Sequence, residues 1–204
     1  MINRLTLFCF AALALMMVSG CFSLGRKPVE KRLYSLETRI AAPGNAPSAP
    51  VPIMVKEFEI APMYTTNSFI YRMAAFRFET DYYNEFIIPP QRMITEAVKQ
   101  ALFDSKRFSP SGPGAPAAYR LSGKVIRLYG DFSNGKQPLA TMEIAIFLDP
   151  MGKNCQQPPV SKTFLRQQLL SDPRPSTLVK GWNTQLNGII KAFIADLDGI
   201  PPGS

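Results

Sequence analysis

The chain has 204 residues, with 23 Lys+Arg against 15 Asp+Glu for a formal net charge of +8, three cysteines, one tryptophan and no histidine. Without histidine the commonest general base is missing, and with it the Ser-His-Asp and Cys-His arrangements and most zinc sites. Apolar residues at 46% and charged residues at 19% give a globular rather than a disordered composition, and a length near two hundred favours a single domain.

Residues 1–20 read as a lipoprotein signal peptide. Arg4 supplies the positive start, and Leu5–Val18 runs apolar without a charge. As a helix those fourteen residues would reach only about 21 Å, short of the roughly 30 Å hydrocarbon core. A charged start, an apolar middle and small residues before a cysteine describe an export signal. Val18-Ser19-Gly20-Cys21 resembles a bacterial lipobox, in which the cysteine thiol takes the lipid and becomes the mature N-terminus. Cys21 is therefore the expected lipidation site, carrying acyl chains that include palmitate. Several chains anchor stably where one does not, since each buried methylene contributes about 0.8 kcal/mol. Phe22, rather than Asp, after the cysteine implies export to the outer membrane.

Processing would remove 20 of the 204 residues and leave 184, with a charge of +7 because Arg4 departs. Cys9 departs too and Cys21 is acylated, so Cys155 is the one free thiol expected and no intramolecular disulfide can form. With no histidine to activate it, Cys155 in Gly152-Lys153-Asn154-Cys155 reads as a loop bystander.

Residues 21–30 read as a tether and 31–200 as one domain. Proline clusters at 41–52, 107–116, 150–159 and 200–204 mark loops. Lys31–Thr38 is a first strand, with Leu33, Ser35 and Glu37 on one face. Val51–Ile60 is a second, whose apolar phase slips near Lys56-Glu57 and predicts a bulge or bend. Ser68–Met73 and Ala75–Asp81 form a hairpin. Pro89-Pro90 opens an amphipathic helix with Ile94, Ala97, Val98, Ala101 and Leu102 at helical spacing.

Three more strands follow: Ala117–Phe132, Leu139–Asp149 and Val160–Leu170. Asn134-Gly135 is read as a hairpin turn needing positive φ. A last helix is expected from Ser176 as N-cap to Asp198, closed by Gly199, with Leu178, Trp182, Leu186, Ile189, Phe193 and Leu197 as its buried stripe. The predicted fold class is α+β: one domain, a mainly antiparallel sheet of about six or seven strands, and two amphipathic helices on one face. The other face must be solvated or meet another molecule.

This order of parts resembles a known family. The lipobox is followed by Tyr34-Ser35-Leu36, an Ile/Val-rich strand near residue 53, the run from Asp81 to Phe86 leading into Pro89-Pro90 and a helix, Leu121-Ser122-Gly123, and a long C-terminal amphipathic helix. The chain is similar in this way to the ABC-type transport auxiliary lipoproteins, which include the lipoprotein subunit of the paraquat-inducible system. Phe86 stands where many members carry Trp. The resemblance implies an outer-membrane lipoprotein facing the periplasm. It would be a non-enzymatic accessory subunit, without cofactor or metal, of a lipid-transport system that maintains membrane integrity. The partners it implies are a mammalian-cell-entry-type substrate-binding protein and an ABC permease and ATPase, with self-association as a further expectation and no nucleic acid. The other reading of the same features is a structural or assembly lipoprotein of an envelope secretion or pilus system.

Other motifs are weaker. Glu57 with Glu59, and Glu79 with Asp81, could pair as acid and base or hold a metal, but nothing converges on them in the sequence. Ser133-Asn134-Gly135-Lys136 matches Ser-x-x-Lys but belongs to a turn, and Gly112-Pro113-Gly114 lacks the Gly-Lys-Ser/Thr of a phosphate loop. Arg26, Lys27, Lys31 and Arg32 lie where anionic headgroups would be. The aromatic group Phe76, Phe78, Tyr82, Tyr83 and Phe86 is either core or a contact surface for lipid or a partner.

Overall fold

A computed structural model describes residues 30–38, 50–111, 114, 116–151 and 158–197. The signal peptide, Cys21, the tether up to residue 29, Cys155 and Gly199 lie outside the described residues. The chain divides into two units, Met1–Glu30 and Lys31–Ser204, and the fold belongs to the second.

Its elements are β1 (Arg32–Tyr34), β2 (Val51–Val55), β3 (Glu59–Ile60), β4 (Ser68–Ala74), β5 (Arg77–Phe86), α1 (Pro90–Asp104), β6 (Phe108–Pro110), β7 (Tyr119–Asp131), β8 (Leu139–Pro150), β9 (Val160–Leu169) and α2 (Pro175–Asp196). A single 3-10 turn, Pro62–Tyr64, follows β3. The architecture is α+β, with one mixed nine-stranded sheet among the described residues.

β7 organises the sheet. Along one edge it runs antiparallel to β8 through twelve residue pairs, and β8 continues antiparallel to β9 through ten. Along the other edge it meets β2, β3 and β4 in turn, each parallel and each over two or three residues. Hence the long ladders are antiparallel, as short connections require, while the short ones are parallel. The two strands beyond the expected count have local causes. The phase slip at Lys56–Phe58 splits one predicted strand into β2 and β3. There the Phe58 N–H leaves the ladder and donates to Thr95 Oγ1 of α1 at 2.9 Å. Phe108–Pro110, inside a proline-rich stretch expected to be loop, pairs with β2 because only the β2-facing groups of this edge are needed.

The core lies between the sheet and both helices. Ala140, Met142, Ile144 and Ile146 of β8 are wholly buried at alternate positions, facing Leu178, Trp182, Leu186, Ile189 and Phe193 of α2, also wholly buried. α2 sits close. A Cβ added at Gly181 would stand 2.8 Å from the Ala140 Cβ, so glycine there sets the helix-to-sheet distance. Gln185 Nε2 donates to the Ala140 carbonyl at 2.7 Å, giving this buried amide a partner.

Two local expectations are corrected. α2 begins at Pro175 with Arg174 as N-cap, so Ser176 is inside the first turn. Proline has the helical φ built in and no N–H to leave unpaired, and Asp172 fixes the approach to the helix by accepting from the Arg174 N–H and Thr177 Oγ1. The β7–β8 connection is not a positive-φ hairpin turn: among the described residues the positive φ values belong to Lys106 and Gly114. Instead, Asp131 accepts from Ser133, and Asn134 Oδ1 accepts from the Lys136 N–H, closing a longer loop.

Candidate docking surface

The hairpin β4–β5 carries all five aromatic residues singled out in the sequence, and it separates them. Phe86 is 3% exposed and packs on Phe69 and Trp182 at ring-centroid distances of 4.7 and 5.4 Å. Phe86 is therefore core, not a contact residue: its strand position turns it toward α2, where the lone tryptophan is buried. Phe78 stands edge-on to Tyr129 at 5.7 Å on the sheet face away from the helices and fastens the hairpin there. The remaining three are exposed, Phe76 completely and Tyr82 and Tyr83 by more than half.

Phe76 occupies the hairpin tip beside the Ala74–Arg77 pair. Neither Ala75 nor Phe76 has positive φ, so the turn lacks the twist that suits a tight hairpin. A register shift between Arg72 and Ala74 takes up the mismatch. Nothing in the turn tucks the ring back.

Tyr82 and Tyr83 are exposed for a different reason. Ser68 pairs with Glu85 but Ile70 pairs with Thr80, so β5 holds three residues more than β4 across this stretch. The excess forms a bulge around the Asp81 carboxylate. Its Oδ1 accepts the Tyr83 and Asn84 N–H groups at 2.8 and 3.0 Å, and its Oδ2 accepts the Tyr71 hydroxyl at 2.6 Å and Asn84 Nδ2 at 2.8 Å. Burial pushes the Asp81 carboxyl upward in pKa, but these four donors outweigh it and hold it below the ordinary range. Burial, then the bond to Asp81, pushes the Tyr71 phenol well up. A charged brace inside the bulge thus turns Tyr82 and Tyr83 outward, ring to ring at 5.4 Å.

A chain of contacts ties these tyrosines to β1. The Lys31 ammonium lies 5.4 Å from the Tyr82 ring centre and pairs with Glu85. Glu85 is the ladder partner of Leu33, and the Ile87 N–H donates to the Tyr34 carbonyl at 2.9 Å. Leu33, Ile87 and Ile88 are 58%, 57% and 41% exposed. Leu33, Tyr82 and Tyr83 thus gather around Lys31, and the exposed Ile87 and Ile88 follow where β5 leaves the β1 ladder. Leu33, Ile87 and Ile88 were missed in the sequence. The signal for Leu33 was present, since it alternates with the polar Ser35 and Glu37. Phe76 is not part of this surface; it lies six residues along β5 from Tyr82, roughly 20 Å at strand rise.

The hairpin is held by an ion pair at its inner side. Arg72 bonds to Asp131, which is 4% exposed, and lies over the Tyr129 ring at 5.5 Å. Burial again raises the Asp131 carboxyl, and bonds from Arg72 and Ser133 lower it further than burial raises it. The other carboxylates have ordinary roles: Glu79 pairs with Arg77 and Glu57 reaches Arg92 at 3.9 Å. Among the described residues no three His, Cys, Asp or Glu side chains converge as a metal site. Among the same residues no helix is long and apolar enough to cross a membrane.

Fold and surface together define an α+β domain with a mixed sheet, one helix-covered face and a projecting hairpin. No protein-family model and no curated protein matches the chain. Solved structures share the fold. The crystal structure of protein XCC0632 from Xanthomonas campestris, assigned to the family model DUF330, is similar at a TM-score of 0.69 and 17% identity, over 81% of this chain and 94% of that one. An uncharacterized protein is similar at a TM-score of 0.61 and 10% identity, over 83% and 99%. The hypothetical protein CT253 from Chlamydia trachomatis is similar at 0.50 and 8% identity, over 74% and 97%.

Proposed function

We propose that this protein is an outer-membrane-anchored periplasmic lipoprotein. It acts as a non-enzymatic accessory subunit of an ABC and mammalian-cell-entry-type lipid-transport system. The lipobox ending at Cys21 and the order of motifs from Tyr34-Ser35-Leu36 to the C-terminal helix support the anchor and the family. The observation that carries the docking role is the β4–β5 hairpin. One of its aromatics is absorbed into the core and one fastens it to β7, while Phe76 is left entirely in solvent at the tip. A large apolar side chain held out on a well-tied hairpin is what a protein interface uses as an anchor residue. The partner assigned to the tip is the substrate-binding or permease component.

Mild crosslinking of cells expressing the full-length protein, followed by its purification, tests this. Recovery of a mammalian-cell-entry-type protein together with an ABC permease is the expected result, with recovery reduced at least several-fold by Phe76→Ser. Recovery of secretion or pilus components instead would overturn it.

A further inference from the structure

We infer that the surface formed by Leu33, Tyr82, Tyr83, Ile87 and Ile88 around Lys31 is a membrane seat, a face that rests in the headgroup region of the bilayer to which the chain is anchored. The inference rests on the lipoprotein reading but assigns a separate surface from the tip.

Three observations carry it. The first is chemical. Two exposed tyrosines, three exposed aliphatic side chains and a lysine whose ammonium lies over one of the rings are grouped on β1 and the β1-paired end of β5. Apolar bodies with polar ends, beside a cation, suit the layer between water and hydrocarbon. The second is the length of chain. β1, which contributes Leu33, begins at Arg32, eleven residues after Cys21. Eleven residues reach at most about 40 Å even when fully extended. This surface is built on the first strand after the lipid, so it is the part of the domain held at highest concentration next to the bilayer. The third is rigidity. The Asp81 brace and the Lys31–Glu85 pair hold the surface in shape without a ligand, so little conformational freedom is lost on contact. The tether between them carries Arg26 and Lys27, which adds attraction for anionic headgroups.

Seating this face would give the domain one orientation, where a lipid anchor alone leaves it free to swivel. The hairpin tip then lies at the far end of β5 from the seat.

The test uses the full-length lipidated protein carrying Cys155→Ser, with an environment-sensitive fluorophore on Ile88→Cys or, as control, on Thr163→Cys of β9. Mass spectrometry of Cys21 first establishes acylation; a chain without acyl groups defeats the lipoprotein reading itself. In vesicles of phosphatidylcholine with phosphatidylglycerol, the fluorophore at 88 should shift to shorter wavelength and be quenched by headgroup-labelled lipid. The fluorophore at 163 should do neither. Tyr82→Ser with Tyr83→Ser should abolish the shift at 88, and Tyr82→Trp with Tyr83→Trp should keep it. An acylated protein whose position 88 stays aqueous in these vesicles overturns the seat. So does shielding that grows with protein concentration in detergent, which would mean a second copy, and so does shielding that appears only when a partner protein is added.

Discussion

The contact between α2 and β8 and the hairpin β4–β5 are built by different means. On the helix side, apolar residues recur with the period of their element: Ala140, Met142, Ile144, Ile146 and Leu148 of β8 are buried two apart, and Leu178, Trp182, Leu186, Ile189 and Phe193 of α2 three or four apart. Burial decides the structure there. On the hairpin, burial decides Phe69, Ile70 and Phe86 and part of Phe78. Charge and hydrogen bonds decide the rest: Asp81 holds the bulge, and Asp131 with Arg72 ties β4 to β7. The first region hides its apolar groups, and the bulged end of the second uses polar groups to keep apolar ones in solvent. That difference separates a scaffold from a display.

Substitutions should split along the same line. Trp182→Ala removes the largest wholly buried side chain and should destabilise by about 3–5 kcal/mol, read from denaturant unfolding. Gly123→Ala comes next. Its Cβ would stand 2.3 Å from the Phe58 ring, and overpacking of this kind costs about 1–3 kcal/mol. Adding Phe58→Leu should return part of that loss if the clash is the cause.

Asp81→Ala belongs to the hairpin and should cost about 1–2 kcal/mol, since Tyr71 and Asn84 lose their acceptor. It should also loosen Tyr82 and Tyr83, which hydrogen exchange at their amides would detect. The pH dependence follows from the same group. The folded-state pKa values of Asp81 and Asp131 lie below the ordinary carboxylate value, near 3.9. Their contribution is therefore present above about pH 4 and is lost as pH falls through the folded-state values. Stability should drop on acidification, and the drop should be shallower in Asp81→Asn. The smallest effect belongs to Tyr83→Ser, expected within about 0.5 kcal/mol because the ring touches little. A loss of 2 kcal/mol or more there would mean that the display is part of the scaffold after all.

Much of the scaffold was legible in the sequence because periodicity encodes it. All six residues of the α2 stripe, from Leu178 to Leu197, are wholly buried, and the phase slip before Phe58 marks the real break between β2 and β3. The parallel pairing of β2, β3 and β4 along β7 was not legible, because each contact is only two or three residues long and leaves no periodic trace. The candidate surface was half visible. Five aromatics in eleven residues mark the segment, yet Phe86 reads no differently from Tyr83 until the three-residue register shift at Asp81 is known. Strand alternation breaks there, and the signal for the break is one aspartate whose partners, Tyr71 and Asn84, flank it at no fixed spacing. Ile87 and Ile88, just before Pro89-Pro90, belong to no periodic run and are surface.

In this proposal the two ends of one hairpin face different surroundings, protein at the tip and bilayer at the base. A photo-activated crosslinker placed at Phe76 or at Tyr83 of the full-length protein in living cells tests it most directly. Adducts to a mammalian-cell-entry-type or permease protein are expected from position 76, and adducts to phospholipid from position 83. The same protein adduct from both positions, or phospholipid from 76 and none from 83, would contradict it.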